Sequence, residues 1–187
     1  LMICDDPELA EQVFRGIGSR LVRFTELMAR HEAVGAVIGN DDWGFKSQTM
    51  LSPADMRRLV FPWHQQAVAA AHAHGKPTIL HSCGCLREVM DDVVDDMRYD
   101  GKHSFEDAIQ PIEAAYDEYH GRIALLGGID LDFICRSPAE QVYQRSRQML
   151  ERAADAGAFA LGTGNSVPEY VPDEGYFAML RAAHDAR

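Results

Sequence analysis

A histidine and two cysteines close a short apolar run, Lys76-Pro77-Thr78-Ile79-Leu80-His81-Ser82-Cys83-Gly84-Cys85. His81 and Cys83 are two positions apart, so in extended chain their side chains leave the same side, and imidazole nitrogen with thiolate sulfur is a donor pair that suits zinc. Cys85 joins them as a metal ligand if the chain turns at Gly84. A capped strand end holding an inert thiol is the plainer reading of the same residues. Asp41 and Asp42 close a second apolar run, Val34 to Ile38, and can work as general acid and base or as oxygen ligands. Surface acids capping a turn look the same. His103, Glu106 and Asp107 fall in His-Ser-Phe-Glu-Asp, where an imidazole beside carboxylates suits proton transfer and a capping role for Ser104 is the alternative. Asp41, Asp42, His103 and Glu106 are the catalytic candidates. Gly127 and Gly128 permit close approach of backbone to a ligand. With Asp130, Thr163, Asn165 and Ser166 they make the substrate-binding set, Asn165 and Ser166 as donors to a substrate carboxylate. His64, His72, His74 and His120 read as helix-surface or packing residues, and Cys4 and Cys135 as core.

The elements that must hold these groups follow from periodicity. Asp6-Pro7-Glu8 starts a helix, and Leu9, Val13, Ile17, Leu21, Phe24 and Leu27 or Met28 give it one apolar face as far as about Arg30. Val34 to Ile38 is a strand. Ser52-Pro53-Ala54-Asp55 caps a helix that runs to Gly75, with an interruption at Pro62. Thr78 to Leu80 is the next strand, and Leu86, Val89, Met90, Val93 and Val94 follow at helical spacing. Asp100 to Ser104 is a weak strand, and Glu106 to Tyr119 reads as a helix with Pro111 near its start. Ile123 to Leu126 is a strand, Ser137-Pro138-Ala139-Glu140 caps a helix ending at Gly157, Ala158 to Leu161 is the last strand, and a helix lies near Gly175 to Ala186. Strand and helix alternate five times in one domain, 1–187, the pattern of parallel β/α units. Every polar or metal-binding cluster falls just after a strand, at the carboxyl edge where such folds bind ligands. An eight-unit barrel needs about 250 residues. The chain is therefore the later part of such a barrel or an open doubly wound sheet.

Composition limits the partners. Of 187 residues 47% are hydrophobic and 25% charged, enough apolar surface for a real core. The formal charge of -11, from 29 acidic and 18 basic residues, disfavours nucleic acid and anionic membrane surfaces and favours a small-molecule substrate. No apolar run approaches the roughly 20 residues of a membrane span, and the first residues do not form a signal peptide, so a cytoplasmic location is expected. Four cysteines, unevenly spread, do not make a disulfide framework. The first residue is Leu1, so the start of the natural chain is expected upstream.

Five stretches carry a family resemblance: Asp41 to His64, Lys76 to Gly84, Gly101 to Pro111, Ala124 to Asp130 and Leu161 to Pro172. In this order they resemble the uroporphyrinogen decarboxylase superfamily, which includes corrinoid-linked, zinc-dependent methyltransferases. The resemblance implies a (β/α)8 TIM barrel of about twice this length, of which the chain is the later five or so β/α units. In the methyltransferase branch His81 and Cys83 correspond to zinc ligands, and a cysteine in the last strand's loop is the third; here that position is Asn165. Cys85, Asp41, Asp42 or Glu106 would then have to supply the missing ligand. In the decarboxylase branch the same loop reads Gly-His-Gly, and here Thr163 replaces the histidine; that branch's arginine-rich N-terminal segment is also not in this chain. The expected function is zinc-dependent methyl transfer to a thiol from a corrinoid or other methyl donor. Decarboxylation of uroporphyrinogen is the first alternative, and a non-catalytic corrinoid- or porphyrin-binding protein the second. A corrinoid protein and a second copy of the chain are the candidate protein partners.

Overall fold

The structure, a computed structural model, describes residues 2–186; Leu1 and Arg187 lie outside them. Five short strands make one sheet: β1 (Val37–Asn40), β2 (Thr78–His81), β3 (Gly101–His103), β4 (Ala124–Leu126) and β5 (Phe159–Ala160). Each pairs in parallel with the next, and their spatial order is their chain order. A doubly wound sheet reverses its order at a switch point, whereas a barrel wall steps always in one direction. The chain is thus a five-strand arc of a (β/α)8 barrel, and the doubly wound alternative is excluded.

The helices are α1 (Met2–Asp5), α2 (Pro7–Ala29), α3 (Pro53–Leu59), α4 (Phe61–His72), α5 (Ile112–Tyr119), α6 (Leu131–Arg136), α7 (Ala139–Arg152) and α8 (Asp173–Asp185). Their starts follow the local chemistry. The Asp6 carboxylate accepts from the Leu9 N–H and the Ser52 hydroxyl from the Asp55 N–H, with a proline opening each helix. Pro62 has no N–H to give the preceding turn, and the interruption expected there divides the helix at Val60. Pro111 likewise stands in extended geometry before α5, which starts at Ile112 and not at Glu106. The helix expected after Cys85 is instead a 3₁₀ turn at Arg87–Val89 and a π-helical segment at Asp92–Asp96, which together keep Val89, Val93 and Met97 buried.

On the convex side Leu80 and Leu125 meet Met56, Val68, Val89, Val93 and Ile112 in the main core. A smaller core of Ile129, Ile134, Val142 and Met179 ties α6, α7 and α8 together beneath the ends of β4 and β5. Burial answers one point left open and corrects one expectation. The apolar face of α2 is exposed, with Ile17 at 57% and Phe24 at 60%, because the helix packs through its small residues Ala10, Gly18 and Ala29 and no described sheet lies under the other side. Cys4 is exposed and not the core residue expected, whereas Cys135 is half-buried against the smaller core.

Candidate metal centre

Parallel pairing sets the site. Asn40 is opposite His81, and His81 is opposite His103, so three adjacent strands end in one row of polar side chains. On the concave face this row rims a cleft of about 460 Å³ lined by Ile38, Asn40, Ile79, His81, His103, Leu126 and Ser166. The same register carries Asp42, two residues beyond Asn40, alongside Cys83, whose backbone N–H donates to the Asp42 carboxylate at 3.0 Å. One donor atom each from Asp42, His81 and Cys83 then fall within 4.8 Å of one another. Gly84 turns the chain out of the site with φ of +86°, and a side chain there would strike the backbone of Gly44.

The tautomer of His81 follows from its neighbours. A carbonyl only accepts, so the His103 Nε2–H must donate to the Thr163 carbonyl at 3.1 Å. Burial, with His81 and Lys102 adding to it, holds His103 below the ordinary histidine value despite that bond, so the ring is neutral and its Nδ1 is a lone pair. The His81 Nδ1–H donates to that lone pair at 2.7 Å. This leaves His81 Nε2 as a free lone pair, 3.8 Å from Cys83 Sγ, in the tautomer a metal ligand needs. Gly127, at φ of +78°, is where a side chain would collide with both the His103 ring and the Thr163 carbonyl, so glycine there admits the relay.

Cys83 Sγ also meets the Ser104 hydroxyl at 3.7 Å and receives the Asn165 Nδ2–H at 3.3 Å. Burial pushes the thiol above its ordinary value and the Asp42 carboxylate adds to this, against the opposing pull of the Ser104 and Asn165 donors. Carboxylate and thiolate side by side repel each other, and a cation between them reverses that effect. Nitrogen, sulfur and oxygen donors in one group fit zinc, with three protein ligands and a position left for another. Asn165 thus occupies the neighbourhood expected for a third ligand, while Asp42 brings the third donor atom.

Asp41 turns away from this group. Its carboxylate lies 3.3 Å from His64 Nε2, and His64 Nδ1 is 2.7 Å from the hydroxyl of buried Tyr99. Burial raises the proton affinity of Asp41, yet His64 and the dipole of the Trp43 indole outweigh it and the carboxyl sits below its ordinary value. The Trp43 indole N–H is buried without a hydrogen-bond partner. His64 packs edge-on against Trp43, as a packing residue would, and also joins a Tyr99–His64–Asp41 chain.

The other expected residues divide. Cys85 does not join the donor group; it lines a separate cleft with Lys102 and Glu106. Glu106 also lines a cleft with Asp130 and Asn165. The Asp130 carboxylate accepts from the N–H groups of Asp107, Asp132 and Phe133, capping α6 and pinning the loop after β3. Thr163 donates its hydroxyl to the Asn165 carbonyl, and the Ser166 N–H donates to the Asn165 side chain, so this loop holds itself in shape. Gly128 lies against Ile112, where a side chain would collide. The link of His64 and Tyr99 to Asp41 was not foreseen; the one signal in the sequence is a histidine in the first turn of an alanine-rich helix.

The described residues include no helix long and apolar enough to cross a membrane. No curated protein matches the chain. Among solved structures 23 chains are similar. One of them, a methyltransferase from Methanosarcina mazei, superimposes with a TM-score of 0.77 at 19% identity, covering 98% of this chain and 51% of its own. The chain therefore spans about half the length of that protein, and the likeness is one of fold. The model of the uroporphyrinogen decarboxylase family matches residues 1–186. A parallel arc with its polar groups at the carboxyl edge, matched by that model along almost its whole length, belongs to the uroporphyrinogen decarboxylase (URO-D) family.

Proposed function

We propose that the chain carries the metal-binding part of a zinc-dependent methyltransferase whose acceptor is a thiol and whose donor is a corrinoid, borne by a partner protein, or another methyl carrier. The supporting observation is the convergence of Asp42, His81 and Cys83 within 4.8 Å. Bound there, zinc would lower the proton affinity of an incoming thiol so that it is a thiolate at neutral pH. The chain's own residues do the remaining work. His103, anchored on the Thr163 carbonyl, keeps the proton of His81 on Nδ1 and its lone pair on Nε2. Asn165 gives one N–H to Cys83 Sγ and holds the β5 loop over it. Asp41, held as a carboxylate by the His64 Nε2–H, turns away from the donor group and gives the rim a fixed negative charge. The half-open cleft beneath, with Ile38, Ile79 and Leu126, offers an apolar wall to the methyl donor.

The reading is tested by metal analysis after purification with zinc and dialysis. One zinc per chain is expected, falling to a small fraction in Cys83→Ser with the fold retained by circular dichroism. With methylcobalamin and a small thiol, methyl transfer is expected to need that zinc. Absence of stoichiometric zinc, or formation of coproporphyrinogen from uroporphyrinogen in a metal-free sample, would overturn it in favour of decarboxylation. A pigment that co-purifies and never turns over would instead point to a binding protein.

A further inference from the structure

The strand that presents His103 to the concave face presents Lys102 to the other, and the proposed methyl transfer makes no use of it. Lys102 is 4% exposed, yet it forms no ion pair among the described residues. Its ammonium has three N–H donors. One goes to the Ser104 carbonyl at 2.6 Å, and the Phe105 ring lies 4.1 Å away and offsets part of the buried charge. Another faces a cleft of about 30 Å³ walled by Gly84, Cys85, Leu86 and Glu106, with Tyr119 at its base and the exposed Arg87 at its mouth. A buried cation without a counter-charge costs several kcal/mol, and water satisfies its N–H groups without neutralising it. Cys83, and less strongly Glu106, are near enough to be felt by the amine, but neither pairs with it.

We infer that this cleft is a carboxylate-binding site, in which one carboxylate group, from a small free acid or from the arm of a larger molecule, pairs with the Lys102 ammonium. The size argues for a planar carboxylate over a phosphate, since the enclosed space is only about that of one or two waters. Arg87 gives the mouth a second positive charge to draw the anion in. The depressed proton affinity of the amine, which burial lowers to about 8, is what a lysine shows while its counter-ion is missing. The cleft lies behind the Cys83–Cys85 turn from the metal donors, so a Cys83 thiolate adds a negative charge near the amine without occupying the cleft.

The test is reductive methylation of the whole protein with isotopic formaldehyde, followed residue by residue by mass spectrometry, in sodium formate and in sodium chloride of equal ionic strength. Formate at about ten times its dissociation constant is expected to slow modification of Lys102 about tenfold, leaving Lys46 and Lys76 unchanged. Glutarate that protects as well as formate identifies an arm reaching in from the mouth; protection by formate alone identifies a small acid. In parallel, formate is expected to raise the melting temperature of the wild type and not of Lys102→Met. Equal Lys102 rates in formate and chloride would overturn the inference, and this arm needs no variant to fold. So would an undiminished formate effect on the melting temperature of Lys102→Met.

Discussion

The ends of β1 to β3 and the ends of β4 and β5 lie side by side on one sheet edge, but their side chains have different tasks. On the first half donor atoms of Asp42, His81 and Cys83 converge, and His103 orients one of them. On the second half Asp130 is occupied by three backbone N–H groups, and Thr163 and Asn165 bond within their own loop. What the second half contributes is mostly backbone: the Thr163 carbonyl that fixes the tautomer of His103, and the bare Gly127 that makes room for it. Reactive groups therefore stand on one part of the arc and are shaped by the other. From the second half it is the Asn165 side chain that reaches the donor group, with one N–H on Cys83 Sγ.

That division can be broken at Asn165. Asn165→Cys places a thiolate on the second half and adds a protein ligand. If four ligands share the roughly 10–16 kcal/mol of a protein zinc site, the gain is on the order of 100-fold in affinity, read by competition with a chromophoric chelator. A smaller effect is expected where the second half only orients the first. His103→Phe keeps a ring but loses the partner of His81, and zinc affinity is expected to fall by about 10–100-fold with little change in melting temperature.

The pH dependence belongs to the first half alone. Burial and Asp42 hold the Cys83 thiol above its ordinary value, so each zinc bound as thiolate displaces a proton. Affinity should therefore rise with pH, about tenfold per unit through the neutral range, and fall on acidification; Cys83→Ser should flatten the profile. The smallest effect on the metal is expected from the second half's cap. Asp130→Ala should cost about 1–2 kcal/mol of stability in denaturant titration while leaving zinc affinity unchanged.

The two halves were also unequally legible in the sequence. His81 and Cys83 could be paired from their spacing, because alternation along a strand is a local property. Asp42 could be offered as a donor but not chosen over Asp41, since that depends on the register of β1 against β2, which places Asn40 opposite His81. His64 stayed hidden for the same reason: its partners Asp41 and Tyr99 are 23 and 35 positions away. The short α6 went unread although Asp130 announces it as an N-cap, because six residues give too little periodicity. The amphipathic pattern of α2 was read correctly as one apolar face, but periodicity says which residues share a face and not what lies against it. The barrel order of the strands rested on the resemblance, since alternating β and α units alone also describe a doubly wound sheet.

The most direct test of the central claim is the absorption spectrum of the protein loaded with cobalt(II) in place of zinc. Coordination by Asp42, His81 and Cys83 predicts a thiolate-to-cobalt charge-transfer band and the strong visible bands of a low-coordinate ion, both lost in Cys83→Ser. A weak six-coordinate spectrum without a sulfur band, the same in wild type and in Cys83→Ser, would contradict it.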